Sequence, residues 1–172
     1  MTLPMKTIDE LLDSAVAARQ AARRAARDNN LLRQVWRVFL ARGAPIPIEV
    51  LERELTAPAR QTVRDGLARL DEDDLIMVQD GVVRLAYPLS GDPTAFTVRL
   101  PDGRTCFTCC AIDALGMAPM LGQPVTVGSW CHHCAAPIRL RVDPEGPDPD
   151  IDDVVVWVGR RDPDERRACT GH

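Results

Sequence analysis

The stretch CFTCCAIDALGMAPMLG, residues 106–122, changes character at Cys110. Upstream, residues 105–108 have β-type composition after a Pro-Asp-Gly turn at 101–103. Downstream, residues 111–121 read as a short helix. Cys110 then occupies the N-cap, and Asp113 is the third helical residue. Unpaired backbone N–H groups and the helix dipole favour a thiolate at such a position. Asp113 lies within one turn of that sulfur, close enough to exchange a proton with it or with a species bound to it. The plainer alternative makes Cys110 a small buried apolar side chain and Asp113 an ordinary first-turn acid. Five of the six cysteines fall between Cys106 and Cys134, and the sixth, Cys169, stands near the end of the sequence.

On either side of this stretch, residues 95–100, 125–129, 138–142 and 154–158 read as further strands, with a Pro/Asp/Gly-rich loop at 143–153. Residues 94–172 thus form a mixed β-sheet core with one short central helix, and residues 88–93 are the best connection to what precedes. In 31–89 three helical patterns are followed by two β-rich runs joined by Asp80-Gly81, which supplies the positive φ angles of a tight hairpin. Gly43 caps the first of these helices, and Pro45 and Pro47 read as a stiff turn. Helix, helix, helix, hairpin is the winged-helix order. Residues 1–30 hold an amphipathic helix, opened by a Thr7/Glu10 capping box and carrying Arg19, Arg23 and Arg27 at four-residue spacing. The expected fold class is α+β, a helical winged-helix domain followed by the mixed-sheet core.

Charge weighs against nucleic acid. The chain has a formal net charge of −4. Residues 31–87 carry eight arginines against nine acidic side chains. The third helix offers Arg60, Gln61 and Arg64, but Asp71 to Asp74 at its tip would repel phosphate, and the wing has only Arg84. No apolar run approaches the roughly 18 residues of a membrane span, and the first residues lack the apolar core of a secretory signal. A cytoplasmic protein with reduced thiols is expected, so metal binding or catalysis outranks disulfide formation.

Cys110-Ala111-Ile112-Asp113-Ala114-Leu115, continuing through Pro119, Leu121 and Gly122 to Val125, Ser129, Cys131 and Ala136-Pro137, resembles the organomercurial (alkylmercury) lyase family. The resemblance covers about residues 95–142 and suggests a short or divergent member. In that family a Cys-Ala-x-Asp motif provides one catalytic cysteine and the catalytic aspartate, and a winged-helix-like domain precedes the core. By resemblance, Cys110 and Asp113 are the catalytic pair and Cys131 lies outside the catalytic set. Cys169 takes the place of the second catalytic cysteine, across a small gap. The family's Cys-His and aromatic stretch beyond that point has no counterpart before His172.

Mercury prefers thiolate ligands. Cys110 and Cys169 would hold R–Hg⁺, Asp113 would protonate the carbon, and the hydrocarbon would leave Hg(II) on the two sulfurs. Low-molecular-weight thiols or a mercury-accepting reductase would then remove the ion, and no cofactor is required. Leu115, Met117 and Trp130 are candidate walls of an apolar pocket holding the proton on Asp113. A rival reading uses Cys106-x2-Cys109 and Cys131-x2-Cys134 as two knuckles of a structural zinc site, with His132 and His133 as substitute ligands. The corresponding alternative functions are a zinc-stapled winged-helix transcriptional regulator and a soft-metal-binding thiol protein that cleaves nothing. Residue types alone do not single out mercury, since the same thiolate pair would bind copper(I).

Overall fold

A computed structural model of the chain describes residues 29–55, 60–148, 151 and 154–157. Helix α1, Asn29–Arg42, buries Leu31, Leu32, Val35 and Phe39 along one stripe. It stops at Gly43, whose positive φ of 60° lets its amide return to the Phe39 carbonyl at 2.8 Å. After strand β1, Ile46–Pro47, come α2, Ile48–Glu54, and α3, Arg60–Glu72, which buries Val63, Leu67 and Leu70. Strands β2, Ile76–Gln79, and β3, Val82–Ala86, form the hairpin expected at Asp80-Gly81, with φ of 51° and 74° at the two turn residues.

The turn read at Pro45 and Pro47 holds a strand. Ile46 pairs with Val83 and Pro47 with Val82, a two-residue pairing too short to leave a β signature in the sequence. Strand β4, Leu89–Ser90, takes the other half of the same β3 edge through Leu85–Ser90 and Ala86–Leu89 pairs. Where the two short strands meet, the Gly91 amide donates to the Arg84 carbonyl at 2.8 Å. A Cβ on Gly91 would lie 2.6 Å from the Pro45 nitrogen, so only glycine fits without movement.

Beyond β4 the sheet continues through β6, Thr105–Thr108, β5, Thr97–Arg99, β7, Val125–Trp130, β8, Pro137–Asp143, and β9, Gly146–Pro147. Every described pairing is antiparallel, which corrects the mixed sheet expected from sequence. The physical reason lies in the connections. Turns and short loops join most neighbours, and such links favour antiparallel pairing. Helix α4, Ala111–Leu121, instead connects β6 to β7, two strands separated by β5.

Alternation sets the two sheet faces. Val98, Cys106, Val125, Val127, Leu140 and Val142 are buried, as are Ala114, Met117 and Ala118 of α4. Arg99, Thr105, Thr126, Arg139 and Arg141 alternate with the buried set and line a shallow polar groove. The buried side chains form one cluster from Leu31 to Val142, with Leu89 of β4 inside it. Residues 88–93, read as a connection, thus carry part of the sheet and of the core.

The strand expected at 154–158 is not formed over its described part. Residues 154–157 pair with no strand, and Val155 and Trp157 are 65% and 69% exposed. A β-rich composition makes a strand only where a neighbour supplies the ladder. Cys169 and the helix opened by Thr7 lie outside the described residues.

Candidate active site

The site is built where β6 gives way to α4. Thr108, the last residue of β6, is buried, and the Thr94 hydroxyl donates to its carbonyl at 2.7 Å. The Cys109 amide donates to the Pro88 carbonyl at 3.1 Å. These two bonds fix the strand end from which Cys110 emerges. Cys110 then adopts an extended backbone and caps α4, its carbonyl accepting the first helical bond from the Ala114 amide at 3.0 Å. Ala114, Met117 and Ala118, spaced i, i+3, i+4, hold the helix on the sheet, and Gly122 at φ 64° ends it.

The expected thiol–carboxyl pair is formed. The Cys110 thiol donates to Asp113 Oδ2 at 3.0 Å, and the Asp113 amide donates to Cys110 Sγ at 3.4 Å. Both side chains are half-buried. Burial pushes the Asp113 carboxyl above its ordinary range, while the hydrogen bonds from the Cys110 side chain and backbone pull the other way. The arrangement suits one proton shared between sulfur and carboxylate.

The apolar surroundings differ in part from expectation. Met117 is buried and Leu115 packs against the core, but Trp130 is 64% exposed at the end of β7. Ile112, between the two site residues in sequence, is 58% exposed. Thr94 went unnoticed in the sequence, because its hydroxyl acts on a strand end 14 residues away and no local pattern marks such a partner.

The four-cysteine zinc reading is corrected. Among the described residues no group of three or more His, Cys, Asp or Glu side chains is placed to hold a metal. Cys106 is buried on the inner face of β6, with its sulfur 3.6 Å from the Val98 carbonyl, and burial pushes its thiol up to about 11. Cys109 is also buried. Cys131 is half-buried and Cys134 exposed in the β7–β8 turn. Val98 pairs with Cys106 on one side and Val127 on the other, so Cys131 lies two strands away and four residues beyond that row. The spacing that resembles two knuckles in sequence is strand alternation for Cys106 and a hairpin turn for Cys131 and Cys134. None of the five described cysteines is in a disulfide, and His132 and His133 are exposed.

Two of the arginines that suggest a DNA surface, Arg64 and Arg84, are engaged elsewhere. Arg64 on α3 binds Glu52 at 3.0 and 3.1 Å and approaches Glu49 at 3.7 Å. Arg84 on β3 forms a bidentate pair with Asp92 at 2.8 and 2.6 Å.

Fold and site together define an α+β protein that presents a cysteine thiol, at the start of a core helix, to a carboxyl group. Residues 89–171, nearly half the chain, match the model of the alkylmercury lyase family. The alkylmercury lyase of Staphylococcus epidermidis is 32% identical over 107 residues, 62% of this chain and 47% of that protein. That of Streptomyces lividans is 32% identical over 114 residues, 64% and 51% of the two chains. That of Pseudomonas putida is 32% identical over 117 residues, 67% and 50%. The chain spans about half the length of these curated relatives. Among solved structures, the mercury-bound form of MerB2 superposes with a TM-score of 0.60 at 22% identity, covering 79% of this chain and 66% of that one. That likeness speaks for the fold. The resemblance read at Cys110 to Asp113 is borne out: over residues 89–171 the chain is similar to the alkylmercury lyases.

Proposed function

We propose that the chain is an alkylmercury lyase-like protein that splits carbon–mercury bonds, with Cys110 and Asp113 as its reacting pair. The observation that carries this reading is the 3.0 Å contact between the Cys110 thiol and the Asp113 carboxylate, inside the segment that matches the family. Sulfur displaces the anion X from R–Hg–X while the thiol proton passes to Asp113. Cys169, by its place in the family resemblance, supplies the second sulfur, and its proton leaves with X. Two thiolates donate electron density to the soft metal, weaken the carbon–mercury bond and make the carbon basic. The Asp113 proton then goes to carbon. The sum is R–Hg–X plus two thiols giving R–H, HX and Hg(II) held by two sulfurs. Burial of Asp113 serves the last step, because a carboxyl that favours its protonated form is a better donor near neutral pH.

The finer assignments belong to the same reading. Residues 31–89, with helix, strand, helix, helix and hairpin in that order, are proposed as a winged-helix unit, and 94–172 as the lyase-like core, the two sharing β4 and one buried cluster. The paired Arg64 and Arg84 support a structural role for the first unit over DNA binding. A cytoplasmic setting, and removal of the ion by small thiols or a reductase, fit reduced cysteines. Among the described residues no helix is long and apolar enough to cross a membrane.

The test is to incubate the reduced chain with phenylmercury and excess monothiol and to measure benzene in the headspace. Release above the thiol-only control, abolished in Cys110→Ser and in Cys169→Ser, supports the proposal. Mercury bound without benzene leaves a soft-metal-binding protein and overturns it.

A further inference from the structure

The turn between β7 and β8 holds a second pair of thiols that the lyase reading leaves unused. Sequence Cys131-His132-His133-Cys134 begins just past the last ladder pair, Trp130 with Pro137. The Cys131 amide donates to the Ala136 carbonyl at 2.8 Å, and the Ala135 amide returns to the Cys131 carbonyl at 2.8 Å, closing one helical turn. Ala135 takes a positive φ of 57° to let the chain re-enter β8. In one helical turn residues three apart face the same side, so a single ion can reach both sulfurs.

What surrounds the pair decides which ion fits. No third His, Cys, Asp or Glu joins it to make a metal cluster among the described residues, and Cys134 is exposed. Zinc in a structural site demands four closed ligands. Two thiolates open to solvent suit soft ions that thiolates satisfy in low coordination, Hg(II) and Cu(I) above all. We propose that Cys131 and Cys134 form a second, solvent-facing two-thiolate site for a thiophilic d10 ion, distinct from the Cys110 site. Loading Hg(II) there forms two S–Hg bonds and releases both thiol protons together with the ion's two former anionic ligands. Strands β6 and β7 lead to Cys110 and Cys131 at one end of the sheet, with β5 between them. At about 4.8 Å per strand those two strands run roughly 10 Å apart, wider than the span of one ion with metal–sulfur bonds near ~2.3 Å. The proposal rests on the hairpin and does not require that the chain cleave anything.

The test uses the full, reduced chain carrying Cys110→Ser, titrated with HgCl2 against a competing monothiol. Bound mercury is counted after desalting, with and without Cys131→Ser and Cys134→Ser. We expect the serine pair to remove one bound ion per chain, and either single substitution to weaken that ion's retention at least tenfold. A second readout covers loss of folding in the serine variants. At one equivalent of Hg(II), alkylation and peptide mapping of the Cys110→Ser chain should find Cys131 and Cys134 protected together. Unchanged stoichiometry in the serine pair overturns the site, as does protection that falls on other cysteines while Cys131 and Cys134 react freely.

Discussion

At the scale of the residue, Cys110 has two separable roles, helix cap and reacting thiol. Its sulfur accepts the Asp113 amide at 3.4 Å and its thiol meets the carboxylate at 3.0 Å. Serine retains the capping geometry, whereas alanine removes it at a cost of about 0.5–2 kcal/mol. Thermal melts should therefore rank wild type and Cys110→Ser close together and Cys110→Ala below both, although both variants lose the proposed reaction. An equal loss of stability in serine and alanine would remove the capping role. Asp113 gives a pH signature. Burial raises its folded pKa above the unfolded value of about 3.9, so between the two values the native state binds more protons than the unfolded state, and stability falls as pH rises. The melting-temperature difference between wild type and Asp113→Asn should therefore decline with rising pH through that window and then level off. A difference that grows with pH there would mean the carboxylate is stabilised as an anion.

At the scale of the element, the sequence was most legible where a local signal suffices. The Cys110 to Asp113 placement could be read because an N-cap and its third helical residue are fixed by helix geometry alone, and the described helix begins at Ala111. Asp80-Gly81 was legible for the same reason. Strands β1, β4 and β9 were not, because two-residue strands exist only through their partners. The zinc reading failed on register, since Cys106 and Cys131 are near in sequence pattern but separated by β5 in the sheet. Gly91 shows the same dependence on partners, being required by Pro45, 46 positions earlier. Gly91→Ala should destabilise the chain by about 1–3 kcal/mol, the usual range for overpacking. Denaturant titration checks this, and a change within about 0.5 kcal/mol, typical of unconstrained surface sites, would contradict the close approach of the two backbones.

At the scale of the molecule, the helical unit and the sheet that carries the site share one core. Leu89 is 1% exposed inside the cluster that runs from Leu31 to Val142. Thermal unfolding followed by far-ultraviolet dichroism and by tryptophan fluorescence should give coincident transitions. Leu89→Ala should lower that single transition by about 2–5 kcal/mol, and separate transitions would show that the two units fold independently. The shared core also bears on the site, because the Pro88 carbonyl that fixes the Cys109 amide belongs to the segment leading into β4. In the proposed reaction carbon is protonated from the Cys110–Asp113 pair. The most direct test is a single turnover of phenylmercury on the reduced chain in D2O. The expected product is monodeuterated benzene, with one equivalent of Hg(II) retained on protein thiols, and no benzene from Cys110→Ser. Retained phenylmercury with no benzene, or undiminished benzene from Cys110→Ser, would contradict it.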